Sequence, residues 1–460
     1  MSEGRGQWGS RLSFVLAAAG SAVGLGNMWK FPYITGMNGG GAFVLIYLVC
    51  ILLVGLPIMI GEVLLGRMSQ SSVVGTFPKL AGGPTPWAGV GWLGVATGVV
   101  ILSYYSVVAG WSLHYVYLAL TGGLDLGDAE AFGALFGETY SDPTVNLTYH
   151  TLFMLITAVI VVGGIQRGVE RASRILMPLL LIMMTALLAY ATTLDGFGDA
   201  LDFVFGFHVE SITGEAVLEA LGHSFFTLSL GMGAMLTYGS YLSKRDDVIA
   251  VSVATTAVDT LVALMACLVL FPITFSAGME ASSGPGLVFI NMPLAFDGLP
   301  GGHAWSVLFF VLLFFAALSS AISLLEVAAA FLIDERGWSR PKAVGLAAGL
   351  VFALGIPSAL SGDATTMFGA TDWIGERNWF DSFDYLASNW MLPLGGLGIA
   401  GFAAWRLGDR ARRLSFAAGS AIGGIQGVYL AWLQLLRYVV PVAIVVVMLH
   451  ALGLLEAVFG

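Results

Sequence analysis

Apolar residues in this chain run in long blocks, bounded by glycine, proline and charged positions. A block of about 18 or more such residues crosses the hydrocarbon core of a bilayer as one helix. Eleven blocks meet this description, near 11–36, 41–66, 88–120, 148–164, 173–194, 216–242, 248–276, 304–332, 341–358, 382–405 and 429–452. They predict an all-α integral membrane protein with eleven transmembrane helices, because in lipid the backbone must satisfy its own hydrogen bonds. The first block contains Gly24, Gly26, Asn27 and Lys30 and lacks a small-residue cleavage site, so it reads as a span and not as a leader.

Two blocks are interrupted by glycine and hydroxyl residues near mid-span. The first has Gly20, Gly24 and Gly26 followed by Asn27, and the sixth has the string Thr227 to Gly233. Glycine inside a helix costs about 1 kcal/mol relative to alanine. Close packing of helices through small residues accounts for glycine alone. The added Ser21, Asn27, Thr227 and Ser229 supply polar groups that packing does not need. The two blocks open two five-span sets, 10–195 and 215–407, followed by an eleventh helix and C-terminus at 428–460. An odd number of spans per set makes the second inverted relative to the first. Interrupted spans at corresponding places in two halves point to a transport site, where helix N-termini attract an anion and unwound carbonyls a small cation. One transporter domain, 1–460, is the expected organisation.

Composition agrees: 57% of residues are hydrophobic and 10% charged, against about 25% charged in soluble domains. The net charge of −10 is unevenly spread. With the N-terminus in the cytoplasm, every Lys and Arg except Lys30, Arg377 and Arg437 falls in a cytoplasmic segment or at its edge. The opposite loops are acidic, with Asp125, Asp128, Glu130, Glu138 and Asp142 in one and Asp195, Asp199, Asp202 and Glu210 in the next. The positive-inside rule therefore places the chain in the cell membrane with its C-terminus outside. Cys50 and Cys267 lie in separate spans and read as small core residues, and Asn146-Leu147-Thr148 reads as a chance glycosylation match.

Ionisable residues within spans are costly, so each calls for a reason. Asp259 sits in the seventh span, and no basic residue in spans six to eight lies at its depth, which favours a cation site. Glu62 and Glu326 are expected to bond broken-helix backbone or gate contacts. Lys30 is expected to snorkel or to pair with Asp384 or Asp381, and His223 reads as a satisfied core residue. The chain shows no metal-ligand cluster, phosphate-binding loop, nucleophile elbow or basic–aromatic patch, which argues against an enzyme, an ATPase or a nucleic-acid partner. Uphill transport would draw on an ion gradient.

Four strings then resemble a known family along nearly the whole chain: Gly20-Ser21-Ala22-Val23-Gly24-Leu25-Gly26-Asn27-Met28-Trp29-Lys30-Phe31-Pro32, Asn38-Gly39-Gly40-Gly41-Ala42-Phe43, Phe225-Phe226-Thr227-Leu228-Ser229-Leu230-Gly231, and Ala316-Ala317-Leu318-Ser319-Ser320. They resemble the neurotransmitter:sodium symporters, in particular bacterial and archaeal eleven-span amino-acid transporters. The resemblance implies two sodium ions. The first would be held by Ala22, Asn27, Thr227 and Asp259 together with the substrate carboxylate, and the second by Gly20, Val23, Ala316, Ser319 and Ser320. Oxygen-only sets suit a hard cation. It implies a substrate touching Ser21, Ala22, Leu25, Gly26, Ile101, Tyr105, Phe226, Thr227, Ser229, Met232, Ser320 and Leu324. Tyr105 and Phe226 would form a lid, with Lys30 and Asp384 above it. Arg5, Trp8, Tyr241 and Asp334 match an inner gate, and Gly168 and Pro178 a motif that unwinds the fifth span.

Departures from the family pattern shape the functional expectation. Asp259 and Ala263 stand where chloride-dependent members carry Asn and Ser, and His223 replaces a Gln, which predicts chloride-independent transport. Gly24 stands where amine transporters carry Asp, so the solute must bring its own carboxylate. Ser21 and the adaptable Met232 lean toward hydrophobic and aromatic L-amino acids. Lys30 replaces a commoner Arg and loses the bidentate fork. The expected function is sodium-coupled uptake of such amino acids by alternating access. A carrier of another zwitterion and a sensor of the same fold are the competing readings.

Overall fold

The computed structural model describes residues 6–206, 213–279, 286–452 and 454. Arg5 and Glu210 lie outside them. The described residues form helices and connecting turns without a strand. Eight continuous helices are long and apolar enough to cross a membrane: Gly41–Ser69, Ala88–Thr121, Pro143–Val162, Ile165–Ala191, Val248–Ser276, Gly302–Arg336, Arg340–Ala359 and Ile425–Ala451. A ninth is the pair Arg11–Ala22 and Gly26–Met37, bent by 51°.

The first span is therefore bent where its glycines lie. The sixth span is broken at its glycines as well, as expected. It is split into Gly214–Thr227 and Ala234–Gly239, whereas the tenth runs without a gap from Trp379 to Arg406 as alternating α- and π-helical segments. The fifth begins at Ile165, eight residues before the apolar block, because the polar segment Ile165–Glu170 is wound into a wide π turn. Apolarity marks where a helix meets lipid, whereas hydrogen bonding sets where it ends.

The third and eighth spans pack along each other and carry one wall of the central site. Arg11–Ala22 rests on the fifth, seventh and eighth spans. The string at Asn38–Phe43 serves a close approach. Gly40 has φ +70°, and a Cβ there would lie 2.2 Å from the Phe203 carbonyl oxygen. Only glycine fits that turn. Both cysteines are free and buried. Asn146 is buried too; its Nδ2 donates to the carbonyls of Thr139, Tyr140 and Asp142. The residue is thus spent on structure.

Candidate functional site

The site begins with the two helix breaks. Arg11–Ala22 ends at Val23, whose ψ of 97° leaves the helical region. The last carbonyls of a helix have no intrahelical partner and carry the negative end of its dipole. In the sixth span, Ser229 (φ +53°), Gly231 (φ +81°) and Gly233 (φ +77°) turn the chain through left-handed conformations. A Cβ on Gly231 would lie 2.3 Å from the Leu392 carbonyl oxygen. The Ser229 hydroxyl donates to the Ser21 carbonyl at 2.9 Å, which ties one break to the other.

Glu62, fully buried, supports the second break. Its carboxylate accepts from the backbone N–H of Gly231 at 2.7 Å and of Leu236 at 3.3 Å. Unwinding orphans donors that lipid cannot satisfy, and a carboxylate from the neighbouring span takes two of them. Glu62→Ala is expected to cost about 2–5 kcal/mol of stability, the toll of two unsatisfied buried donors. The check is the thermal unfolding midpoint in detergent, where an unchanged midpoint would refute this support role.

Around the first break two oxygen clusters form. In one, the Ser319 hydroxyl lies 3.4 Å from the Val23 carbonyl and 2.9 Å from that of Ala316. The Ser320 hydroxyl lies 3.5 Å from the Gly20 carbonyl and 3.0 Å from that of Ser21. The structure thus gathers Gly20, Val23, Ala316, Ser319 and Ser320, all oxygen donors, where a helix C-terminus points. Met177, beside Pro178, covers them: a Cβ on Gly20 would meet its Cγ at 3.2 Å.

The other cluster surrounds Asp259, which is wholly buried. Asn27 Nδ2 donates to its Oδ1 at 2.7 Å and to its backbone carbonyl at 3.1 Å. Thr227 Oγ1 lies 3.2 Å from each carboxylate oxygen. Asn27 Oδ1 accepts from Gly24 N at 3.1 Å, so the amide nitrogen and not the oxygen faces the carboxylate. Turning that amide over would present Oδ1 to a cation there.

Between the clusters lies a pocket lined by Ser21, Ala22, Gly24, Leu25, Gly26, Ile101, Tyr105, Phe226, Ser229, Met232, Ser320 and Leu324. Its walls carry hydroxyls and apolar groups but no charged side chain. Thr227, expected both here and beside Asp259, is absent from this lining and bonds Asp259. Gly24, expected only as an empty position, is itself part of the wall. A Cβ on it would lie 2.4 Å from Ser320 Oγ and 2.9 Å from Tyr105 Oη. Tyr105 Oη accepts from Leu25 N at 3.3 Å. Ser323, which accepts from the Ser21 hydroxyl at 2.7 Å, was not anticipated. Its place one turn after Ser320 on the same helix is the signal that would have found it.

Leu25, Tyr105 and Phe226 also floor a vestibule bounded by Trp29, Lys30, Tyr33, Tyr104, Asp381 and Asp384. Lys30 Nζ stands 3.8 Å from Asp384 Oδ2 and 5.0 Å above the Phe226 ring. Tyr104 and Ser388 each donate to Asp384 Oδ1 at 3.0 Å. At the opposite end, Trp8 donates through Nε1 to the Tyr238 carbonyl at 2.9 Å and through its backbone N to the Tyr241 carbonyl at 3.2 Å. The Tyr241 hydroxyl donates to Glu326 at 2.7 Å, and Arg340 forms an ion pair with the same carboxylate. Arg340 was a missed partner, and it comes from the adjacent ninth span. Asp334 lies near the C-terminal end of Gly302–Arg336. Arg5 falls outside the described residues.

His223 departs from its reading as a satisfied core residue. It is buried and stacks on Phe31, with ring centroids 5.6 Å apart, but neither ring nitrogen has a hydrogen-bond partner among the described residues.

With this geometry in place, comparison with known proteins is direct. The model of the sodium:neurotransmitter symporter family matches residues 5–132 and 139–370. A sodium-dependent transporter of Bacillus subtilis is 36% identical over 98% of this chain and 98% of its own length. One from Haemophilus influenzae is 32% identical over 97% and 98%. The crystal structure of MhsT in complex with L-phenylalanine superposes with a TM-score of 0.89, at 43% identity, over 97% of this chain and 100% of that one. With the match extending over most of its length and through both breaks, the chain is a multi-pass sodium-dependent membrane transporter and belongs to the sodium:neurotransmitter symporter family.

Proposed function

We propose that the transporter carries L-amino acids with hydrophobic or aromatic side chains into the cell, coupled to two sodium ions and independent of chloride. The observation that carries this reading is the uncharged pocket set between two oxygen clusters. A zwitterion brings its own carboxylate, and the pocket walls, apolar through Leu25, Ile101, Phe226, Met232 and Leu324, suit an apolar side chain. The phenylalanine bound by the MhsT neighbour supports the same class. The substrate carboxylate would meet the N-terminal end of Gly26–Met37 near Tyr105 and complete the coordination of one sodium with Ala22, Asn27, Thr227 and Asp259. Gly20, Val23, Ala316, Ser319 and Ser320 would hold the other.

The two five-span sets, 10–195 and 215–407, would act as inverted repeats, with the basic end of the bundle in the cytoplasm. Lys30 and Asp384 would gate the outer vestibule. Trp8, Tyr241 and the Glu326–Arg340 pair would latch the inner side. Unwinding near Gly168 and Pro178 would draw Met177 off Gly20 and admit water to the second cluster. Because substrate and sodium share a ligand sphere, each raises the other's affinity.

Proteoliposomes with an imposed sodium gradient test this. Labelled phenylalanine, tryptophan or leucine should accumulate against its gradient, with competition by hydrophobic and aromatic amino acids but not by betaines. Replacing chloride with gluconate should leave uptake unchanged. Sodium-dependent binding without accumulation would mark a sensor, betaine competition would shift the substrate class, and loss of uptake without chloride would refute the charge role given to Asp259.

A further inference from the structure

Outside the transport pathway, one groove on the lipid-facing surface combines charge with apolar shape. It runs between Pro143–Val162 and the start of Ile165–Ala191, and it is lined by Val159, Ile160, Gly163, Arg167, Arg171 and Ile175, among others. Glycine makes the groove. A Cβ on Gly168 would lie 2.0 Å from the Ile160 carbonyl oxygen, and one on Gly163 would lie 3.0 Å from Gly168 Cα. The two helices touch there and diverge beyond.

Arg167 and Arg171 are exposed, stand one turn apart on one helix face, and have no ion-pair or hydrogen-bond partner among the described residues. The neighbouring Arg174 is different, since it pairs with Glu170 at 2.6 Å. From the two free arginines an apolar strip runs along the same helix through Ile175, 57% exposed, to Ile182, 64% exposed. A second groove begins there, lined by Leu181, Ile182, Thr185, Ala186 and Ala189. From Arg171 to Ile182 is about 16 Å along the axis, about one leaflet of a hydrocarbon core roughly 30 Å thick.

We propose that this groove binds one anionic glycerophospholipid, with its phosphate on Arg167 and Arg171 and an acyl chain along Ile175 and Ile182. Arginine suits a phosphate because its planar fork donates two parallel hydrogen bonds. The position gives the lipid a consequence. The other face of the same π turn holds the N-terminal segment: Glu170 accepts from Gly9 N at 2.9 Å, and Gln166 Nε2 donates to the Gln7 carbonyl at 2.9 Å. A headgroup clamped on Arg167 and Arg171 braces that turn from outside and steadies the segment that carries Trp8.

Native mass spectrometry of the protein from mixed phosphatidylglycerol–phosphatidylcholine vesicles tests this. Each basic side chain near a membrane surface contributes about fivefold, so the wild type should retain the anionic lipid about 30-fold over the neutral one. Arg167→Gln with Arg171→Gln should abolish the preference, whereas Lys244→Gln with Arg245→Gln should keep it. Ile175→Trp, which fills the groove and leaves both charges, should lower retention of either lipid. Inorganic phosphate should not displace the bound lipid. Equal retention of the two lipids by wild type, or equal loss in both double variants, would overturn the proposal. Sodium-dependent amino-acid binding, measured in parallel, shows that each variant is folded.

Discussion

Asp259→Asn is expected to raise the sodium concentration needed for half-maximal amino-acid binding by about 10–100-fold, the range found when a group supporting a bound metal is removed. The carboxylate is fully buried, accepts from Asn27 and Thr227, and no Lys or Arg is paired with it among the described residues. On the proposed assignment its charge neutralises a sodium ion in a medium where an unpaired cation is expensive. Asparagine keeps the shape and removes the charge. Chloride should then restore part of the lost affinity, because a diffusible anion can supply what the side chain no longer does. The measurement is a sodium titration of labelled phenylalanine binding in chloride and in gluconate. An unshifted midpoint would remove Asp259 from the ion site. A shifted midpoint that chloride leaves untouched would keep it there and discard the charge-substitution argument.

Gly24→Asp is expected to weaken amino-acid binding by at least about 100-fold. Two effects combine. The new Cβ lands 2.4 Å from Ser320 Oγ and 2.9 Å from Tyr105 Oη, inside the pocket wall. The added carboxylate also faces the substrate carboxylate, and like charges about 4 Å apart cost about 4 kcal/mol at an effective dielectric near 20. Gly24→Ala separates the two, because it has the overlap without the charge, and a serine hydroxyl can rotate away from it. The alanine variant should lose far less than the aspartate variant. An aromatic amine without a carboxylate should bind the aspartate variant better than the wild type. Equal losses for Ala and Asp would show that space alone, and not charge, sets the substrate class.

The sequence carried the spans because bilayer thickness translates directly into a length of apolar chain. It was less informative about the fifth span, where the helix extends eight residues ahead of the apolar block. The glycine clusters marked the breaks of the first and sixth spans correctly, since glycine tolerates the left-handed turns seen at Gly231 and Gly233. Ser21, Ala22, Gly24, Leu25, Gly26, Phe226, Ser229 and Ser320 of the pocket wall fall in the strings that carry the resemblance, whereas Ile101, Tyr105, Met232 and Leu324 lie outside them. Thr227 was read both beside Asp259 and on the pocket wall, because helical spacing does not say which of the two a hydroxyl faces; the structure puts it against the carboxylate.

By itself, then, the sequence determined the membrane class, the location of the breaks and the absence of a carboxylate at Gly24. These follow from local properties: hydrophobic length, backbone freedom and side-chain identity. Only the tertiary structure decided that Glu62 holds the N–H of Gly231, 169 positions away, that Arg340 pairs with Glu326, that the Asn27 amide turns its nitrogen to Asp259, and that His223 has no hydrogen-bond partner among the described residues. A buried polar group bonds whatever donor or acceptor packing brings within about 3 Å, and in a bundle that partner comes from another helix. The arginine-lined groove is likewise a product of two glycines letting two helices meet and then part.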